Sequence, residues 1–133
     1  MNRYLDPAGA LQFVAGRVTE LCWPVAGVVL SGRLGTGQCR ARSFAYGPTV
    51  ALTVERAPAR AAEACLVLAA TPAASDDGLY LDDGRLWLLR RYPPRLTESE
   101  FDLLLKQQQT LAILLAERRR PADCAMPVIG RLA

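Results

Sequence analysis

Histidine is absent from this chain of 133 residues. Its absence removes the usual general base, the Ser/His and Cys/His nucleophile pairs, and most zinc chemistry. Lysine is nearly absent too: fifteen arginines stand beside a single lysine, Lys106. Helical spacing puts Lys106 on a polar face beside Gln107, Gln108 and Gln109, where it is a solvated charge rather than a base of lowered pKa. Cysteine is sparse and scattered. Cys22, Cys39, Cys65 and Cys124 contain no CxxC pair and lie mostly within apolar runs, which predicts free thiols with neither a disulfide nor a metal site. Long apolar runs are missing as well, and an uncharged stretch such as residues 21–32 is too short to cross a bilayer. Residues 1–7, MNRYLDP, lack the apolar centre of a secretory signal, so a cytoplasmic location is expected.

The remaining carboxylates offer little chemistry. Asp82 and Asp83 precede Gly84, and Asp76 and Asp77 precede Gly78; both triplets read as turn signals, and neither has the alternating oxygens and distant glutamate of a calcium loop. The expectation is a protein that is no enzyme, needs no cofactor and works by surface contact. The net charge is +3 with a pI near 8.9, an excess that supports only weak general attraction to nucleic acid or anionic lipid. Arginines gather at Arg40 and Arg42, at Arg85, Arg90, Arg91 and Arg95, and at residues 118–120. Solvated strand faces and a helix end are the simpler account of these clusters.

What is present is a run of legible local signals. Asp6 and Pro7 form an N-cap and first-turn pair, and Leu11, Val14, Val18, Leu21 and Cys22 continue as one helical stripe that Pro24 ends. Residues 25–30 read as a strand, closed by the glycine-rich residues 31–37. That loop lacks Gly-Lys-Ser/Thr and leads into another strand, so it is a hairpin turn rather than a phosphate loop. Residues 39–46 alternate, with Cys39, Ala41, Ser43 and Ala45 opposite Arg40, Arg42, Phe44 and Tyr46. Residues 49–55 alternate again with Val50, Leu52 and Val54 inward, which makes three antiparallel strands in meander order.

Residues 59–70 favour helix between Pro58 and Pro72, and after Glu63 this helix is apolar nearly all round. Such a helix needs cover on more than one side, and in so small a domain the second cover is expected to be another subunit. Residues 79–81 and 86–89 then form a hairpin around Asp82-Asp83-Gly84, whose Asp-Gly pair suits positive φ. Thr97 and Glu100 make a capping box, Leu96 and Phe101 occupy staple positions, and a long helix runs from Thr97 toward the basic residues 118–120 and Pro121. The whole reads as α+β: an antiparallel twisted sheet with helices in the order α-β-β-β-α-β-β-α, one domain over residues 1–120 and a loosely packed tail over 121–133.

This order resembles the class I chaperones of bacterial type III secretion systems. The likeness is strongest at residues 79–89, LYLDDGRLWLL, followed by Leu96 and by an acid-started helix rich in Leu and Gln; over residues 7–56 it is one of topology. The resemblance implies a small cytosolic dimer that binds the N-terminal segment of a secreted effector or gatekeeper protein, holds it extended and delivers it for export. It also implies that the second helix, through Ala61, Ala62, Cys65, Leu68 and Ala69, and the late strands make the dimer contact. Client-binding candidates are Phe13, Val28, Leu30, Phe44, Tyr46 and Trp87. The family is typically acidic, whereas this chain is basic. It is more similar to a subtype that pairs with a second chaperone subunit to serve the gatekeeper, which leaves homodimer and heterodimer both open. An alternative is a small nucleic-acid-binding module in which Arg40, Arg42, Phe44 and Tyr46 present a basic aromatic strand face. A small enzyme or ligand carrier with a pocket between sheet and final helix is a weaker one.

Overall fold

Residues 3–74 and 76–116 are described by a computed structural model. Over these described residues the fold is α+β, with three α-helices and a six-stranded antiparallel sheet. After a short strand β1 (Tyr4–Leu5), Asp6 caps helix α1 (Pro7–Ala15) by accepting the Gly9 amide at 2.6 Å. A four-strand meander follows: β2 (Thr19–Val25), β3 (Val29–Leu34), β4 (Gly37–Phe44) and β5 (Gly47–Val54). A turn of 3-10 helix at Pro58–Arg60 leads into α2 (Ala61–Ala69). The hairpin β6 (Asp77–Asp82) and β7 (Arg85–Arg91) comes next, then β8 (Leu96–Thr97) and α3 (Glu98–Leu115). The sheet order is β2-β3-β4-β5-β7-β6, so the late hairpin adds β7 beside β5 and leaves β6 at one edge.

The first helix is shorter than its stripe predicts. Only Leu11 and Val14 of that stripe lie on α1; Val18 follows it, and Leu21 and Cys22 belong to β2, both exposed. Pro24 therefore sits near the end of an edge strand, where its missing N–H leaves no ladder bond unmade. The strand expected at residues 25–30 is likewise split: residues 26–28 turn the chain, with Gly27 at φ +71, while Val25 ends β2 and Val29 and Leu30 begin β3. The glycine-rich stretch contributes Ser31 to Leu34 to β3, and only Gly35 and Thr36 turn the chain. The β2 edge is irregular: its pairing with β3 shifts register twice, and Glu20 has φ +53.

Elsewhere the local signals and the fold coincide. Asp83 and Gly84 have φ of +54 and +71, the pair of positive values a two-residue hairpin needs. Thr97 accepts the Glu100 amide at 3.2 Å while the Glu100 carboxylate accepts the Thr97 amide at 2.9 Å, a complete capping box. The expected end of this helix, at residues 118–120, and the tail beyond lie outside the described residues, as does Cys124. Gly47 has φ +129, and a Cβ there would stand 2.2 Å from the Tyr92 carbonyl oxygen, so only glycine fits.

All three helices pack on one face of the sheet. Leu11 and Val14 of α1, Phe101, Leu105, Leu111 and Leu115 of α3, and Ala64 of α2 share a core with Leu30, Cys39, Ala41, Val50, Leu52, Val54, Leu86 and Leu88. Alternation accounts for those strand positions. It does not account for Arg90, Asp77 and Gln108, whose surroundings differ from a solvated strand, a turn and a polar helix face. Arg90 and Asp77 are register partners on the helix side, with side chains 6% and 0% exposed. Arg90 donates to both Asp77 oxygens at 2.5 and 2.7 Å, to the Leu104 carbonyl at 3.2 Å and to Gln107 Oε1 at 2.9 Å. Burial opposes the charge on Arg90, but Asp77 outweighs it and holds the guanidinium above its ordinary pKa. Gln108, fully buried, donates to the Val50 and Leu88 carbonyls and accepts from the Tyr92 hydroxyl at 2.7 Å. Replacing Asp77 by Ala strands a buried guanidinium and should cost about 3–5 kcal/mol, read as a drop in urea midpoint. An unchanged midpoint would show that this ion pair is not buried in solution.

Candidate functional site

The sheet face opposite the helices carries the candidate site. Strand register sorts it into rows: Arg33, Gln38, Thr53, Trp87 and Tyr80; then Ser31, Arg40, Ala51, Leu89 and Gly78; then Val29, Arg42, Thr49 and Arg91. Arginines and aromatics flank a floor of small residues on β5. Arg40 reaches across that floor, with its guanidinium carbon 3.9 Å from the Trp87 ring centroid and its Nη1 2.5 Å from Asp82 Oδ2. Trp87 is thereby only 3% exposed although no described helix covers it. Tyr80 lies parallel to Trp87 at 6.3 Å, and burial pushes its hydroxyl pKa up.

At the other end of β5 the floor is open. Phe44 and Tyr46 stack at 4.9 Å, Arg42 lies over Phe44 at 4.8 Å, and Arg91 lies over Tyr46 at 5.1 Å. A cavity of about 750 Å³ opens beside them, lined in part by Thr49, Gly78, Leu89, Pro93 and Pro94. Tyr46 is half exposed.

The second feature is the exposed side of α2. Ala64 faces the core and is fully buried, while Ala61 and Leu68 are half-buried against it. Ala62, Cys65, Leu66 and Ala69 are exposed, and their i, i+3, i+4, i+7 spacing puts them on one stripe, with Leu66 at 73%. Glu63 is the one charged residue within α2. It pairs with Arg60 at 2.6 Å and Arg56 at 2.9 Å, and its bond to Arg60 holds its carboxyl below the usual range. Arg56 also donates to the Leu115 carbonyl at 2.8 Å, tying α2 to the end of α3.

The six client-binding candidates do not form one surface. Phe44 and Tyr46 stand together on the outer face, with Trp87 on the same face under Arg40. Val28 is exposed in the β2–β3 turn, and its carbonyl accepts the Ser43 amide next to Phe44. Leu30 lies in the core with no exposed surface and cannot touch a second chain. Phe13 packs edge-on to Phe101 at 5.4 Å on the helix side, under Arg17. Sequence reasoning missed Thr49, Tyr80, Leu89 and Arg91. Pairing each strand with its true neighbour would have found them, because alternation assigns a face but not a row.

Lys106 is exposed and paired with Asp102 at 2.8 Å. Among the described residues no three His, Cys, Asp or Glu side chains cluster as metal ligands, and no helix is long and apolar enough to cross a membrane. Comparisons with protein-family models, with curated proteins and with solved structures give no match. Burial pushes the Cys39 thiol up to about 12, whereas Cys22 is exposed. Iodoacetamide at about pH 8 should therefore label Cys22 in the native protein and reach Cys39 only after denaturation, as peptide mass mapping would show. Rapid native labelling of Cys39 would contradict the packing of β4 against the helices.

Proposed function

We propose that this chain is a secretion-chaperone-like subunit that associates with a second subunit and holds an extended segment of a client polypeptide. The observation that carries this reading is the exposed stripe Ala62, Cys65, Leu66 and Ala69 on a helix otherwise anchored by Ala64, Arg56 and Glu63. An apolar face held rigidly at the surface is a poor solvated surface and a good subunit contact. The edge strand β6 supports the same side: it pairs with β7 in unbroken register, contains no proline, and exposes Leu81 at 56%. The second subunit is either another copy or a different chaperone subunit. The client is a secreted effector or gatekeeper protein, the setting is the cytoplasm, and no catalytic step is involved.

The client has a sheet face on which to lie that no described helix covers. Main-chain hydrogen bonds at a strand edge would add affinity, and side-chain pockets would choose the sequence. A nucleic-acid reading of the basic aromatic face is less well supported, because base stacking needs open ring faces. Here Trp87 lies under Arg40 and beside Tyr80, while Phe44 and Tyr46 stack on each other with Arg42 and Arg91 over them.

Co-expression with the proteins encoded beside this chain, followed by light-scattering mass measurement and affinity capture, tests the reading. A complex containing two chaperone-like subunits and a retained secretion substrate is expected. A monomer that retains no substrate would sink it. Leu66→Arg should reduce the assembly to single subunits, since a charge placed in a dry contact costs several kcal/mol. It is a cleaner variant than Leu68→Arg, because Leu68 also packs against its own core. Cys65 should react slowly with iodoacetamide in the assembly and fast in the Leu66→Arg variant; equal rates would place the contact elsewhere.

A further inference from the structure

Resting on the reading that this chain holds an extended client, we propose that the open end of the outer sheet face, between Arg42 and Arg91, takes an acidic segment of that client. Register aligns Arg42, Thr49 and Arg91 across three adjacent strands, so the strands bearing the arginines lie about 10 Å apart, two strand spacings, with the Thr49 hydroxyl between them. Both guanidinium groups are positioned: Arg42 over Phe44 and Arg91 over Tyr46, with those two rings stacked on each other. Among the described residues neither arginine has a carboxylate within ion-pair distance. Arg40 on the same face is already paired with Asp82, and Arg33 with Glu20 at 3.5 Å.

The space for a ligand is present. The cavity of about 750 Å³ is lined by Thr49 and Arg91 of this row and by Phe44, over which Arg42 lies, and a Cβ built on Gly78 would meet nothing within 4 Å. Asp77, at the cavity wall, is committed to Arg90, while Asp76, which also lines the cavity, repels a carboxylate close to it. The half-exposed Tyr46 and the exposed Leu89 lie alongside, so apolar neighbours of the acid have a surface to cover. The site therefore fits an extended polypeptide in which Asp or Glu alternates with aliphatic residues. Arginine pairs with such carboxylates by two parallel hydrogen bonds, and the basic row supplies the steering field.

Fluorescence anisotropy tests this with three labelled ligands: a short peptide of alternating Glu and Leu, its Gln-for-Glu counterpart, and an oligothymidylate of matched length. The acidic peptide should bind about tenfold or more tighter than the Gln peptide, and its affinity should fall as salt rises. Arg42→Gln with Arg91→Gln should weaken it about tenfold, and Arg42→Lys with Arg91→Lys should restore part of the loss. Both side chains are exposed, so the variants keep the fold, which thermal unfolding verifies. Equal binding of the two peptides, or no effect of the Gln variants, would overturn the proposal; so would tighter binding of the oligothymidylate, which would assign the face to nucleic acid. Failure is separable from failure of the parent reading. An assembly that retains its co-expressed client but ignores the acidic peptide sinks this inference alone, whereas a monomer that retains no client sinks both.

Discussion

The buried polar clasp between the sheet and α3 is the constraint on which the arrangement depends. Arg90 joins the β6–β7 hairpin to the helix through Asp77, Gln107 and the Leu104 carbonyl, and Gln108 joins the helix to β5 and β7 through two main-chain carbonyls. Apolar packing alone would permit small slides of α3 over a leucine-rich surface. Hydrogen bonds that must all be made at once permit far fewer. Taking ions out of water costs several kcal/mol, and the pairing is helped to offset this because each of the three guanidinium nitrogens of Arg90 donates to a partner. A one-residue slip of β6 along β7 would turn Asp77 to the other face and leave Arg90 buried without it.

With the described helices locked on one side, the other side of the sheet is left, among the described residues, to its own side chains. Long arginines do there what a helix does on the inner face: Arg40 lies across β5 and shields Trp87 from water. The result is a surface that is closed at one end of β5 and open at the other. The same separation leaves α2 half in the core and half outside it, so the two candidate contact regions, the α2 stripe and the outer face, stand on different sides of the domain's core.

Much of the fold was legible in local signals that have one physical solution. Asp6, Thr97 with Glu100, and Asp83 with Gly84 satisfy helix-end amides or positive φ, and each stands where its chemistry requires. The inward sets Cys39, Ala41 and Val50, Leu52, Val54 followed from alternation. The errors arose where a pattern admits two periods. Leu11, Val14, Val18, Leu21 and Cys22 fit a helical stripe, yet Gly16 stands at the helix end and the chain leaves as a strand. The polar core was illegible because Arg90, Asp77 and Gln108 look like surface residues until partners distant in sequence are known. The outer site was half legible: one strand announced Arg42, Phe44 and Tyr46, but Thr49 and Arg91 joined them only through the pairing of three strands.

The two rims of the sheet are unlike, and that difference bears on how copies can accumulate. At β2 the ladder is twice interrupted, Glu20 is twisted to positive φ and Pro24 removes a donor, so another strand finds no continuous row of amides and carbonyls to dock on. At β6 the row is unbroken. Growth by strand addition, which in a sheet with two good rims runs on into fibres, thus has one regular rim of the six-stranded sheet to use among the described residues and terminates once that rim is occupied.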